Sequence, residues 1–515
     1  MSSAIKGSPD SGGAGPRAVE GEGPQPGGPV PKRRLVALIA GPLVASFLLL
    51  TPAPEVFPPE AWRLVALASW MVIWWMLEAV PVPVTALLPI PFMPLLGIGD
   101  QREVAASYGH PLIFLFLGGF LIAAAMQRWG LHRRIALGIV ARVGTGPSGI
   151  VAGFMLATAF LSMWISNTAT AVMMFAVGIS MIDFVKSRAD DAEQSRRFGL
   201  ALMLGIAYSA SIGGVATLIG TPPNTLLASY LADSQGIQLD FATWMMLGVP
   251  LVVIMLPLAW LLLCRIVYPL KELHLGDGAR DMVVRELAEL GPMSRGERIV
   301  AIVFATTALL WITRSWFVGL TGLDVSDTTI ALVAATILFA VPASVQKGHF
   351  TVEWEAARNH VPWGVLLLFG GGLALAGAFS DTGLAALIGE GVGGLDALGI
   401  GVIILTTIVA IVYLTELTSN TATTATFLPI LGAVAIGLEQ NPMLLTIPAA
   451  LAASMAFMMP VATPPNAIVF SYEEMSIGDM IKAGFWLNLL AIGLIYAAML
   501  FLAPMVFDLA GTGGG

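Results

Sequence analysis

GIVAGFMLATAFLSMWISNTATAVMMFAVGISMI at 149–182 and IGVIILTTIVAIVYLTELTSNTATTATFLPILGAVAIGL at 400–438 are the two segments whose reading decides the fold. Both are apolar and longer than the roughly 20 residues a helix needs to cross about 30 Å of hydrocarbon. Each is interrupted at its centre by the same pentapeptide, SNTAT, at Ser166–Thr170 and Ser419–Thr423. Ser, Asn and Thr compete for backbone hydrogen bonds and favour helix ends over helix interiors. Each segment is therefore expected to form a helical hairpin that enters and leaves by one face, with Ser-Asn-Thr at its tip.

Working outward, the rest of the chain is built for lipid. Hydrophobic residues make up 57% and charged residues 11%, against about 45–50% and about 25% in soluble domains. Apolar stretches of spanning length occur near 35–54, 62–79, 83–98, 111–127, 199–230, 241–267, 298–318, 328–345, 361–379, 443–471 and 480–508. The expected fold is an all-α polytopic membrane protein with about eleven transmembrane helices plus two re-entrant hairpins. Residues 1–31 are rich in Gly and Pro without periodicity, the composition of a disordered tail. The apolar run after Lys32-Arg33-Arg34 has no small-residue cleavage site behind it and reads as the first span.

Lys and Arg in short loops set orientation. With Lys32-Arg33-Arg34 in the cytoplasm, alternation puts Arg128, Arg133, Arg134, Arg142, Lys186, Arg188, Arg196 and Arg197 on the same side, with Arg265, Lys271, Arg280, Arg285, Arg295, Arg298 and Lys347. The bookkeeping closes only if both hairpins are re-entrant. It places the protein in the cell (inner) membrane, amino terminus cytoplasmic and carboxyl terminus extracytoplasmic.

The halves echo one another. SNTAT recurs at an offset of 419 − 166 = 253, PLIFLFLGGFLIA from Pro111 matches PWGVLLLFGGGLA from Pro362, and GTPPN at 220–224 matches ATPPN at 462–466. An odd number of spans between the copies makes this an inverted-topology repeat. Each Pro-Pro pair removes two backbone donors and breaks its span, and backbone freed at membrane depth persists only where it lines a cavity or is buried in protein. A lone cluster of small polar residues would serve helix packing; four breaks paired across two halves point to a site.

No Lys, Arg or His occurs in 149–182, 199–230, 400–438 or 443–471. A dianion there depends on helix amino-terminal dipoles and on co-bound cations. Hydroxyl and carbonyl oxygens suit an alkali cation, while the same hydroxyls and the Asn amides donate to carboxylates.

SNTAT and TPPN in both halves, WWMLEAVPVPVTALLP at 74–89 and ASMAFMMPVATPPNAIV at 453–469 together resemble the divalent anion:sodium symporter family of dicarboxylate, citrate and sulfate transporters, over roughly 35–508. The resemblance implies a sodium-coupled transporter of a small dianion, a homodimer in the lipid bilayer with an elevator-type transport domain moving against a scaffold. The division is 35–145 scaffold, 149–267 transport domain, 268–297 cytoplasmic loop, 298–395 scaffold and 400–508 transport domain. It also implies roles: Ser162, Ser166, Asn167 and Gly220 around one sodium; Thr415, Thr418, Asn420 and Ala462 around another. Ser166, Asn167, Thr168, Thr221, Ser419, Asn420, Thr421, Thr463 and Pro464 would meet the substrate. Two intact tips suit a four-carbon dicarboxylate such as succinate, malate or fumarate, ahead of citrate and sulfate; sodium-independent exchange on the same fold stays open.

Other classes fit less well. A net charge of −8 without a basic stripe gives no footprint for nucleic acid. No GxSxG, HExxH or paired intramembrane aspartates signal an enzyme, and no cofactor is expected beyond the coupling sodium ions. An ion channel is distinguished by uncoupled flux. The lone Cys264 reads as a small core hydrophobe. Glu78 is expected in a loop or interface, and Glu416 either contacts an ion or braces the second hairpin. The stretch from Arg128 to Gly144 suits an interfacial helix.

Overall fold

A computed structural model describes residues 32–143, 146–188, 191–270, 278–346, 348–391, 398–507 and 509. The expected tail at 1–31, and Lys271 and Lys347 of the orientation argument, lie outside the described residues. The described chain is helical except for one short antiparallel pair, Pro342–Ser344 with His349–Phe350. Among the described residues seven helices are long and apolar enough to cross a bilayer, on length and composition alone.

Both hairpins form. The first runs up Pro147–Ser162 and back along Asn167–Lys186. The second uses Ile400–Thr415 and Asn420–Gly437. The stretches at 199–230 and 443–471 are each broken in two. Ala192–Gly214 and Pro222–Gln235 form the first broken helix, Met443–Ala453 and Pro464–Phe470 the second. In both, Pro-Pro opens the outer piece, where a missing N–H costs nothing because the first turn has no intrahelical partner for it.

The stretch at 83–98, read as one span, is two short helices, Val82–Thr85 and Pro89–Leu95. Prolines at 83, 89, 91 and 94 supply no backbone donors there.

The first broken helix is the centre of the molecule. Every residue from Phe198 to Thr221 is buried, as expected of a helix apolar on all sides. The first hairpin packs along its inner piece and also against Pro464–Phe470 of the second broken helix. Reciprocally, the second hairpin packs on Met443–Ala453 and reaches across to Pro222–Gln235. Two ion pairs tie the first half to the loop and helix that follow: Lys186 with Glu474 at 2.7 Å and Arg196 with Asp479 at 2.9 Å. The hydrogen bond from Lys186 holds the Glu474 carboxyl below the usual carboxylate range.

An outer layer packs around this unit. Trp164, two residues before the first tip, stacks on Phe241 at 6.1 Å and on Trp311 at 6.5 Å between ring centroids. Nearby, Arg314 sits between Asp240 at 3.3 Å and Asp327 at 3.1 Å. The helix Leu131–Val143 also forms, but Arg134 is drawn to the Glu297 carboxylate and donates to Gly291 O at 3.0 Å.

Candidate functional site

Each tip puts Ser-Asn-Thr at the start of a helix. Ser166 caps Asn167–Lys186, its hydroxyl accepting from Ala169 N at 3.3 Å. Ser419 does the same for the second hairpin, accepting from Ala422 N at 3.5 Å. First-turn N–H groups lack intrahelical acceptors and carry the positive end of the helix dipole, so both tips are anion-receptive. Ser166, Asn167, Thr168, Ser419, Asn420 and Thr421 are all half-buried.

Behind each tip lies a matching knot of oxygens. In the first, Ser162 Oγ donates to Ala210 O at 2.7 Å. The inward end of the Asn167 amide lies 2.6 Å from Ser162 Oγ and 3.2 Å from both Ala210 O and Gly220 O. In the second, Thr415 Oγ1 lies 2.6 Å from Asn420 Oδ1 and 2.9 Å from Ala453 O. Thr418 Oγ1 is 2.7 Å from Thr423 Oγ1. The side chains correspond across the halves, 415 − 162 = 253 and 420 − 167 = 253, and each hydroxyl meets a carbonyl of the neighbouring broken helix, Ala210 O or Ala453 O. One hydroxyl, one amide and a backbone carbonyl converge in each half, a hard-oxygen set that an alkali cation also seeks.

The unwound segments are clamped from within by the last residue of TPPN. Asn224 Nδ2 reaches Gly214 O at 3.2 Å, Val215 O at 3.3 Å and Thr217 O at 2.8 Å. Asn466 Nδ2 reaches Ala456 O and Met459 O, both at 3.0 Å. These amides replace the helix ladder that the break removes, and both residues are fully buried. Close approach matters at Gly220, where an added Cβ would lie 2.3 Å from Gly214 O.

The structure therefore brings Ser162, Asn167 and Gly220 into direct contact in one half, and Thr415 with Asn420 in the other. Thr221 and Thr463 are buried N-caps of the outer helical pieces, Ala462 is buried and Pro464 is exposed. Glu78 is an exposed left-handed C-cap at φ 48°. Glu416 is buried among backbone N–H groups of the second unwound segment. Sequence reading missed the Asn224 and Asn466 clamps, although their recurrence in both TPPN copies was a usable signal. Among the described residues no cluster of His, Cys, Asp and Glu offers a conventional metal site.

Known proteins agree with this architecture. A family model described as the sodium:sulfate symporter transmembrane region matches residues 32–507. The chain is 41% identical over 483 residues to a sodium-dependent dicarboxylate transporter, SdcS, of Staphylococcus saprophyticus, covering 92% of each chain. It is 40% identical over 486 residues to an SdcS of Staphylococcus aureus, again 92% of each. The crystal structure of the YdaH transporter of Alcanivorax borkumensis shares the fold, with a TM-score of 0.57 at 13% identity, over 88% of this chain and 100% of that one. With nearly its whole described length matched and multiple apolar helices to cross the bilayer, the chain is a multi-pass membrane protein and belongs to the sodium:sulfate symporter family.

Proposed function

We propose that this protein is a secondary active transporter that moves a four-carbon dicarboxylate such as succinate, malate or fumarate together with sodium. The observation that carries the reading is the duplicated oxygen knot behind two anion-receptive helix starts, in segments without any Lys, Arg or His. A dianion cannot be desolvated there alone, because each uncompensated charge near the bilayer centre costs about 2.5–3.5 kcal/mol on the insertion scale. Sodium held by Ser162, Ser166, Asn167 and Gly220, and by Thr415, Thr418, Asn420 and Ala462, offsets that cost. Thr168, Thr421, Thr221, Thr463 and Pro464 complete the substrate shell. Because Asn167 and Asn420 serve ion and substrate alike, occupancy by one favours the other, which is coupling. That the SdcS relatives are named sodium-dependent dicarboxylate transporters supports this substrate class over citrate and sulfate.

The hairpins and broken helices, at 149–267 and 400–508, form the transport domain of a homodimer and move as one unit against the scaffold. Their reciprocal packing supports a single body related by inverted repeat. The test is labelled succinate uptake into proteoliposomes under imposed sodium, proton and counter-substrate gradients, with citrate and sulfate as competitors. Uptake driven by inward sodium and inhibited by malate and fumarate is expected. Uptake indifferent to sodium, or driven only by internal substrate, overturns the reading.

A further inference from the structure

The two oxygen knots match, but what holds the backbone beside them does not. In the first half, the segment after Gly214 turns tightly on its own backbone: Val215 N donates to Ile212 O at 3.2 Å and Ala216 N to Gly213 O at 3.0 Å. The corresponding second-half positions are Phe457 and Met458, since 457 − 242 = 215 and 458 − 242 = 216. Their N–H groups go to a side chain instead. Glu416 Oε1 accepts from Phe457 N at 2.7 Å and Met458 N at 2.9 Å, and Oε2 from Met458 N and Met459 N, both at 3.0 Å.

A fourth donor completes the shell: Asn488 Nδ2, from the helix Ile477–Ala497, lies 2.7 Å from Glu416 Oε1. Glu416 is 4% exposed and Asn488 fully buried. The same helix presses on the segment at Gly484, where a Cβ would lie 2.2 Å from Phe457 O. At the position equivalent to Glu416 the first half carries Met163, since 416 − 253 = 163.

We infer that Glu416, backed by Asn488, is the positioning group of the second cation site, giving it a carboxylate-held backbone that the first site lacks. The inference rests on the proposed sodium coupling. Glu416 lies next to Thr415 and four residues before Asn420, and the backbone it holds follows Ala453 in the same segment, so it braces the place where Thr415, Asn420 and Ala453 O converge. The halves are thus chemically unequal despite their repeat: Glu416 acts through the backbone of Phe457–Met459, without touching the ion.

The test compares wild type with Glu416→Gln and Asn488→Ala in two measurements. The first is the sodium dependence of succinate uptake, alongside succinate KM at saturating sodium. The second is backbone hydrogen exchange over 455–463 and over 213–221. Glu416→Gln keeps shape but loses charge and turns an amide toward N–H donors. With those hydrogen bonds weakened, its sodium half-saturation should rise about tenfold or more. Succinate KM at saturating sodium should stay within about twofold on the same scale. Exchange should quicken over 455–463 and not over 213–221. Asn488→Ala, which retains the charge, should shift both readouts the same way by less, and decides the matter should Glu416→Gln fail to fold.

Unchanged sodium dependence, a change confined to succinate KM, or equal loosening of both segments overturns the inference. Should wild-type uptake itself prove independent of sodium, the functional reading falls separately. The exchange comparison then judges the positioning role alone: selective loosening of 455–463 upholds it and any other pattern refutes it.

Discussion

Replacing Asn224 by Ala removes the clamp on the first unwound segment. Its Nδ2 supplies two hydrogens to three carbonyls, those of Gly214, Val215 and Thr217. The residue is fully buried, so water cannot take its place. Val215 O keeps Trp244 Nε1 at 2.9 Å and Thr217 O keeps Gly220 N at 3.4 Å, so Gly214 O is the acceptor left without another donor, at about 1–3 kcal/mol. Relaxation of the segment recovers part of this. Retaining about 1.4 kcal/mol corresponds to about a tenfold change in an equilibrium constant. Gly220, whose carbonyl faces the Asn167 amide, follows directly in the same segment, so the loss should appear in sodium affinity. Sodium-dependent succinate uptake in proteoliposomes should show a half-saturation raised by about tenfold or more, or no transport, with a lowered Tm in detergent. Asn466→Ala should behave alike, because the second clamp repeats the first. Normal expression with a sodium half-saturation within about twofold of wild type would refute the clamp as a determinant of the site.

Two further outcomes follow from the paired tips. Asn167→Ala and Asn420→Ala should each abolish uptake while leaving size-exclusion behaviour unchanged; near-normal uptake by either shows that one half suffices. Cysteines placed at Thr168 and Thr421 in a Cys264→Ala background should change accessibility together, both reacting from outside in one state and from the cytoplasm in the other. Opposite responses under the same ionic conditions would mean separate gates rather than one moving unit.

Much of this was legible in the sequence, for physical reasons. A long apolar segment with a polar centre has few ways to satisfy its backbone in lipid, so SNTAT announced both hairpins, and Pro-Pro announced both broken helices. Recurrence at nearly constant offsets tied them together. What escaped was set by contacts distant in sequence. Glu416 meets Phe457–Met459 across about 41 residues and Asn488 across 72, separations with no periodic signature. The clamp amides reach back seven to ten residues, beyond the range of helical spacing rules. The stretch at 83–98 was apolar enough to read as a span, and its prolines carried the contrary information. Leu131–Val143 formed as a helix where one was expected, but the pairing of its Arg134 with Glu297, 163 residues on, had no such signature.

The central claim is that the tips form a dicarboxylate site completed by sodium. Equilibrium binding of labelled succinate to the purified protein, in sodium and in choline buffers of equal ionic strength, tests it most directly. The account predicts saturable binding in sodium, none detectable in choline, and none in either buffer for Asn167→Ala or Asn420→Ala. Equal affinity in the two buffers would contradict it.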